Sequence, residues 1–181
     1  CLFLKTIKLN KTKVFGELAS FTRFQLLEVL DIGDTKIGGD IGALRESAML
    51  VELNLRWTKV IGDVEALEEL MLLEKLDCSG TKVSGQLESF APLEKSLVEL
   101  RLQRSEIKGE VEGLAPLVNL VVADLSRMPH ITGDIMIFEN CTFLETLLVN
   151  ETRLDTDSLG KLRGVLKGCE INASSGNKAP A

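Results

Sequence analysis

The sequence predicts an α/β solenoid of about seven coils, with a parallel β-sheet along its concave face and short helices, 3₁₀ turns and second short strands elsewhere. Three observations carry that prediction. One phrase recurs through nearly all of the 181 residues, its period is 23 or 24, and apolar residues alternate with polar ones inside each copy. The inner apolar position falls at Leu9, Ile32, Leu55, Cys78, Leu102, Leu125 and Val149. A glycine column keeps the same spacing at Gly16, Gly39, Gly62, Gly85, Gly109 and Gly133. Composition agrees: about 32 residues are Leu, 4% are aromatic and none is Tyr. A Leu, Ile and Val ladder in every coil leaves little room for rings.

Composition also excludes classes. A hydrophobic fraction of 45% with moderate charge excludes a disordered chain. The net charge of −6 argues against a nucleic-acid partner held by phosphate contacts. The longest apolar run, residues 114–125, is broken by Pro116, Asn119 and Asp124 and falls short of the roughly 20 residues of a membrane span, so no transmembrane segment is expected. Four Cys make no disulfide framework.

Each copy reads L-x-x-L-x-L-x-x-T-x-[IV]-x-G-[DE]-[IVL]-x-x-[LF], with repeats near residues 4–26, 27–49, 50–72, 73–96, 97–119, 120–143 and 144–171. The alternating opening is a strand, inner residues to the core and outer ones to solvent. Thr12, Thr35, Thr58, Thr81, Ser105 and Thr152 turn the chain out of the sheet, and the glycine permits a tight corner. On the opposite wall, residues 65–73 have helical spacing, whereas Ala91-Pro92-Leu93 and Ala115-Pro116-Leu117 suggest 3₁₀ turns. The sixth copy holds an extra residue around Met128-Pro129-His130, which predicts a local bulge. The seventh loses the Gly-Asp-Ile phrase, and residues 157–166 read as a closing helix. Residues 1–171 are thus expected as one domain and 172–181 as a flexible tail. The chain opens at Cys1 inside a repeat, which suggests a processed product or a fragment lacking earlier coils.

This template resembles the leucine-rich repeat family. Its added hydrophobic-x-Gly-x-Ile segment is similar to the plant-type subclass, in which a second short strand follows the first. The resemblance covers residues 4 to about 171. It departs from the family in two places: Thr or Ser stands where an Asn usually bonds the next coil, and Asp-Ile or a relative replaces Ile-Pro. The resemblance implies a binding fold whose inner sheet face holds a partner. It fits receptors, inhibitors, adaptors and organelle scaffolds alike, and a plant or algal source.

No catalytic residue, metal site or cofactor is expected. His130, the only His, reads as a surface turn residue in the bulge. Glu17, Asp40, Asp63, Glu110 and Asp134 follow the glycines, and capping of the next turn explains them better than a cation. The lysine row Lys13, Lys36, Lys59 and Lys82 offsets their repulsion. Cys78 replaces an inner Leu and reads as a core thiol. Cys141, placed on the convex turn, and Cys169 lie about one coil apart, which leaves a disulfide open. Free thiols in an intracellular or organellar compartment are the default. Four Asn-x-Ser/Thr matches, at Asn10, Asn140, Asn150 and Asn172, read first as by-products of the repeat.

The outward columns of the sheet place Arg56, Trp57, Asp77, Gly80, Arg101, Arg104, Asp124 and Arg127 in one neighbourhood. Trp57 is the only Trp, and Trp and Arg are the residues most enriched at binding hot spots. Gly80 between Trp57 and Arg104 suggests a notch for a partner side chain; Trp57 simply packed on its Arg neighbours is the alternative. The expected function is a non-catalytic protein-interaction module whose concave face meets a protein with an acidic patch. A scaffold subunit of a larger organellar, plant or algal assembly, docked by its edges or convex side, is the first alternative, and an apolar row of Phe15, Phe21, Phe24, Phe90 and Phe138 would suit it. A receptor-like ectodomain fragment is the second.

Overall fold

The x-L-x triplet centred on the second Leu of each L-x-x-L-x-L phrase forms a three-residue strand, and copies 23 or 24 residues apart stack in register. The computed structural model describes residues 3–174. In coil order its strands are β1 (Thr6–Lys8), β2 (Phe15–Glu17), β3 (Val29–Asp31), β4 (Lys36–Asp40), β5 (Glu52–Asn54), β6 (Lys59–Asp63), β7 (Lys75–Asp77), β8 (Lys82–Gln86), β9 (Glu99–Arg101), β10 (Glu106–Glu110), β11 (Val122–Asp124), β12 (Ile131–Thr132), β13 (Thr146–Leu148) and β14 (Glu170–Asn172). Two parallel sheets result. The concave one runs β1-β3-β5-β7-β9-β11-β13-β14 and the second runs β2-β4-β6-β8-β10-β12. The registers set Ile7 beside Leu30, Leu30 beside Leu53 and Leu53 beside Leu76. Like therefore packs on like, and the column from Leu30 to Leu147 is fully buried.

Six short 3₁₀ turns close the coils, at Leu18–Phe21, Ile41–Leu44, Val64–Leu67, Leu87–Leu93, Val111–Leu114 and Ile135–Asn140. Residues 65–73, whose spacing suggests a helix, hold only the third of these turns. Leu70 N–H donates to Leu67 C=O and Leu73 N–H to Leu70 C=O, so the bonds step by three. Leu67, Leu70 and Leu73 are all buried on one side by that step. Asp40, Asp63 and Asp134 cap their turns, each accepting from the N–H two residues on. Glu17 and Glu110 cap nothing with their side chains.

The Gly-acid pair has a stacking reason. A Cβ on Gly62, at φ +103°, would lie 2.4 Å from the Asp40 carboxylate of the preceding coil, and one on Gly85 would lie 2.5 Å from Asp63. The glycine makes room for the acid behind it. The Thr column acts locally: Thr35, Thr58, Thr81 and Thr152 donate to the carbonyl three residues back in their own coil. These hydroxyls close a turn within each coil rather than bridging to the next.

The last coil contains one α-helix, α1 (Leu159–Val165), and then departs from expectation. The chain continues into β14, which pairs with β13 and gives the concave sheet an eighth strand. Asn172, expected in the tail, ends that strand, and residues 175–181 of the expected tail lie outside the described residues. At the bulge, Met128 turns into the core while Pro129 and His130 stay exposed, and β12 shrinks to two residues. The phenylalanines do not form a surface row. Phe90 and Phe138 fill the core position that Leu holds in other coils, Phe21 and Phe24 are half-buried, and Phe15 alone of the five is exposed.

Candidate interaction surface

The burial alternation of each strand leaves two outward columns on the concave sheet. One is Lys8, Asp31, Asn54, Asp77, Arg101, Asp124 and Leu148. Reasoning outward from the turn misses the other: Thr6, Val29, Glu52, Lys75, Glu99, Val122 and Thr146. The signal that finds it is the same period, two residues upstream. Between β1 and β9 the columns line a groove of about 170 Å³ around Lys8, Asp31, Glu52, Asn54, Lys75, Asp77, Glu99 and Arg101. Among the expected site residues Asp77 and Arg101 thus reach the groove, whereas Asp124 lies one coil beyond its lining.

Most floor side chains are tied down. Asp31, Asn54, Asp77 and Asp124 accept from the backbone N–H two residues on, at 3.2, 3.1, 2.9 and 3.0 Å. These turn bonds end each strand. Lys75 stands between Glu99 at 3.2 Å and Glu52 at 3.7 Å, and Arg101 pairs with Glu99 from the other side. Burial pushes the Glu99 carboxyl up, but the hydrogen bonds and charges of Arg101 and Lys75 outweigh it and hold the group below its usual range.

A rim runs beside this floor, and its backbone is left-handed. Lys11, Asp34, Trp57, Gly80, Arg104, Arg127 and Glu151 all have φ between 52° and 66°. The turn after each strand demands that conformation, which costs a side-chain-bearing residue roughly 1–2 kcal/mol. Glycine at position 80 meets the demand without strain. It does not leave a notch: a Cβ there would sit 2.3 Å from Cε3 of Trp57, so the indole itself covers Gly80. The Arg104 guanidinium lies over the same ring, 5.8 Å from its centroid, and Trp57 remains 45% exposed.

The arginines do not make a cationic field. Arg56 donates twice to Asp34, at 2.8 and 3.0 Å, Arg127 pairs with Glu151 at 3.1 Å and Arg101 pairs with Glu99. Of these four rim and floor arginines, only Arg104 has no acidic partner among the described residues. The Arg-rich centre on which the acidic-patch expectation rests is largely neutralised from within.

The thiols are also quiet. Cys78, Cys141 and Cys169 are free. Cys141 lies in the core rather than on the outside of its turn. Its Sγ donates to the Leu117 carbonyl at 3.6 Å, and burial, with the nearby Cys169, pushes its pKa up to about 11.

No protein-family model and no curated relative matches this sequence. Solved structures do. The leucine-rich repeat ectodomain of the Arabidopsis thaliana receptor kinase GASSHO1/SCHENGEN3, in complex with CASPARIAN STRIP INTEGRITY FACTOR 2, superposes with a TM-score of 0.76 at 19% identity, over 94% of this chain and 21% of that one. The chain has the leucine-rich repeat fold. The Arabidopsis HAESA ectodomain, in complex with an IDA peptide hormone ligand, gives 0.76 at 23% identity, over 92% of this solenoid and 30% of that chain. Internalin C2 of Listeria monocytogenes gives 0.67 at 19%, over 94% and 74%. The solenoid spans about a fifth to a third of the length of the plant receptor ectodomains it matches.

Proposed function

We propose that this leucine-rich repeat solenoid is a non-catalytic protein-interaction module that holds an extended polypeptide on its concave face. The observation that carries this reading is the groove over β1 to β9, together with the half-exposed Trp57, and Arg104 stacked on it, on the turns that follow the floor strands. An exposed aromatic with a cation on its face is a rigid anchor that loses little entropy on binding. The groove floor carries fixed charges of both signs, which favours a partner of mixed charge over one with a uniformly acidic patch. The HAESA ectodomain, in complex with a peptide hormone ligand, and the plant peptide hormone receptor RGFR1, in complex with RGF2, share the fold, which supports an extended occupant and a receptor-like context.

The test is capture from a native extract by the wild-type chain and by a Trp57→Ala/Arg104→Ala variant. Loss of the captured species by tenfold or more, about 1.4 kcal/mol, with an unchanged melting temperature supports the concave site. Capture that survives the double change in a folded variant sinks it.

A further inference from the structure

A row of half-exposed apolar side chains marks the corner where the wall turns into the concave sheet. The residue just before each L-x-x-L-x-L phrase is Phe3, then Leu26, Met49 and Leu72, then Ser96 and Asn119. Leu26, Met49 and Leu72 are 40%, 39% and 48% exposed, and Met71 beside them is 51% exposed. All three have a neighbouring coil on both sides, with Phe3 before Leu26 and Ser96 after Leu72. Their exposure therefore belongs to the corner and not to an end of the stack. The repeat does not demand apolar residues there. Asn119 Nδ2 donates to the Glu94 carbonyl at 3.2 Å, so a polar side chain serves the same corner two coils on. The core does not demand them either, since Leu27, Leu50 and Leu73, one place later, are the buried ones. A contiguous apolar patch kept in water without a structural reason marks a contact surface.

Carboxylates frame this row on both sides. The column three places earlier holds Arg23, Glu46 and Glu69, and the column two places later holds Glu28, Val51 and Glu74. Across residues 42–51 and 65–74 five Glu stand against one basic residue, Arg45. None of those five Glu has an ion-pair partner among the described residues.

Two features select the shape of the occupant. The backbone of the corner is spent inside each coil: Leu50 N–H donates to Ser47 C=O, and Leu73 N–H to Leu70 C=O. These closed turns offer no ladder to an added strand, so recognition falls to side chains. The row advances about 4.8 Å per coil. The apolar stripe of an α-helix returns after seven residues, about 10.5 Å along its axis, against about 9.6 Å for two coils. A helix laid across the coils thus keeps an apolar side chain close to each of Leu26, Met49 and Leu72, and the flexible thioether of Met takes up the small mismatch.

We infer that this corner of the solenoid is a docking site for a basic amphipathic helix of a partner protein. Its apolar stripe lies on Leu26, Met49 and Leu72, and its cations face Glu46, Glu69 and Glu74. Apolar contact supplies affinity, and the acidic frame supplies selectivity. A second copy docked by the same corner is disfavoured, because it would set one acidic frame against another. The site shares no residue with the lining of the concave groove and does not rest on the reading of that groove.

The test titrates the full chain with a synthetic peptide of about 18 residues, Leu at every third or fourth position and Lys between. One control replaces each Lys by Glu. A second reorders the same residues so that Leu lies all round a helix. Calorimetry, circular dichroism and amide NMR read the binding. The basic amphipathic peptide is expected to bind about tenfold more tightly than either control and to gain helix on binding. Its amide shifts are expected to centre on residues 45–51 and 68–74. A Met49→Ser/Leu72→Ser chain, which places at two corners the residue type of Ser96, is expected to lose about tenfold in affinity with an unchanged melting temperature. A Glu46→Lys/Glu69→Lys chain, altered at two exposed side chains, is expected to lose as much, and it decides alone if the serine pair disturbs folding. Equal binding of the three peptides, shifts centred on the groove or on Trp57, or undiminished binding by the folded variants overturns the proposal. Self-association read by sedimentation and abolished by the serine pair overturns it too, because it assigns the corner to a second copy.

Discussion

The Thr58 hydroxyl donates to the Leu55 carbonyl at 2.6 Å, and Thr81 and Thr152 repeat the bond at 2.7 Å. Ser105 holds the same column position, yet its Oγ is buried without a partner. A buried unsatisfied hydroxyl costs its desolvation and returns nothing. Thr58→Ala is therefore expected to lose about 1 kcal/mol, while Ser105→Ala loses nothing or gains up to about 1 kcal/mol. Equilibrium urea unfolding of the two variants checks the contrast, and an equal loss in both refutes it. Residue identity was legible in the repeat, since position in the phrase fixes which side chains are inner. What stayed hidden was side-chain direction. Gly80 reads as a gap, but a Trp one coil earlier is long enough to lie across it, and no spacing rule reports a rotamer.

At the scale of elements, the strands were legible because alternation with a 23-residue echo has no other reading. The wall was less so. Over nine residues a spacing of 3.0 and one of 3.6 put nearly the same residues inside, so the 3₁₀ turns of residues 65–73 pass for a helix. β14 escaped notice because Glu-Ile-Asn is too short to display alternation; it forms because β13 offers it a ladder. The strands also set an electrostatic response. Across β5, β7 and β9, Glu52, Lys75 and Glu99 make a chain of charges that ends on Arg101. The folded Glu99 carboxyl lies below its usual range, so its contribution is present above the unfolded value of about 4.3 and lost as pH falls through the folded value. Glu99→Gln is expected to lower the melting temperature at pH 7 and to converge with wild type as the pH falls through the folded value. Parallel melting curves from pH 3 to 7, with a constant gap, would contradict this.

For the whole molecule, a stack of coils contacts only its neighbours, so stability is close to a sum of interfaces. Leu100 in β9 is fully buried between Leu76 and Ala123, whereas among the described residues Ile7 in β1 has a neighbour in the long sheet on one side only. Leu100→Ala is expected to cost about 2–5 kcal/mol and Ile7→Ala about 1 kcal/mol. Hydrogen exchange should show the same order, with β7 and β9 amides outlasting those of β1; uniform protection would argue against a sum of coil interfaces. The architecture was legible from the period alone.

The spacing of the concave columns has a last consequence. Coils repeat about every 4.8 Å, while an extended chain advances about 3.3 Å per residue, so three ligand residues span nearly the same distance as two coils. A polypeptide lying along the groove is then read at every third residue by every second coil, like a vernier against its scale. The two settings differ in chemistry. One meets Asp31 and Asp77 in turn; the other meets Lys8, Asn54 and Arg101. Under the proposed function, sliding the ligand by a single coil would exchange an acidic reader for a neutral or basic one, so the groove would select the phase of a ligand's charge pattern as well as its sign.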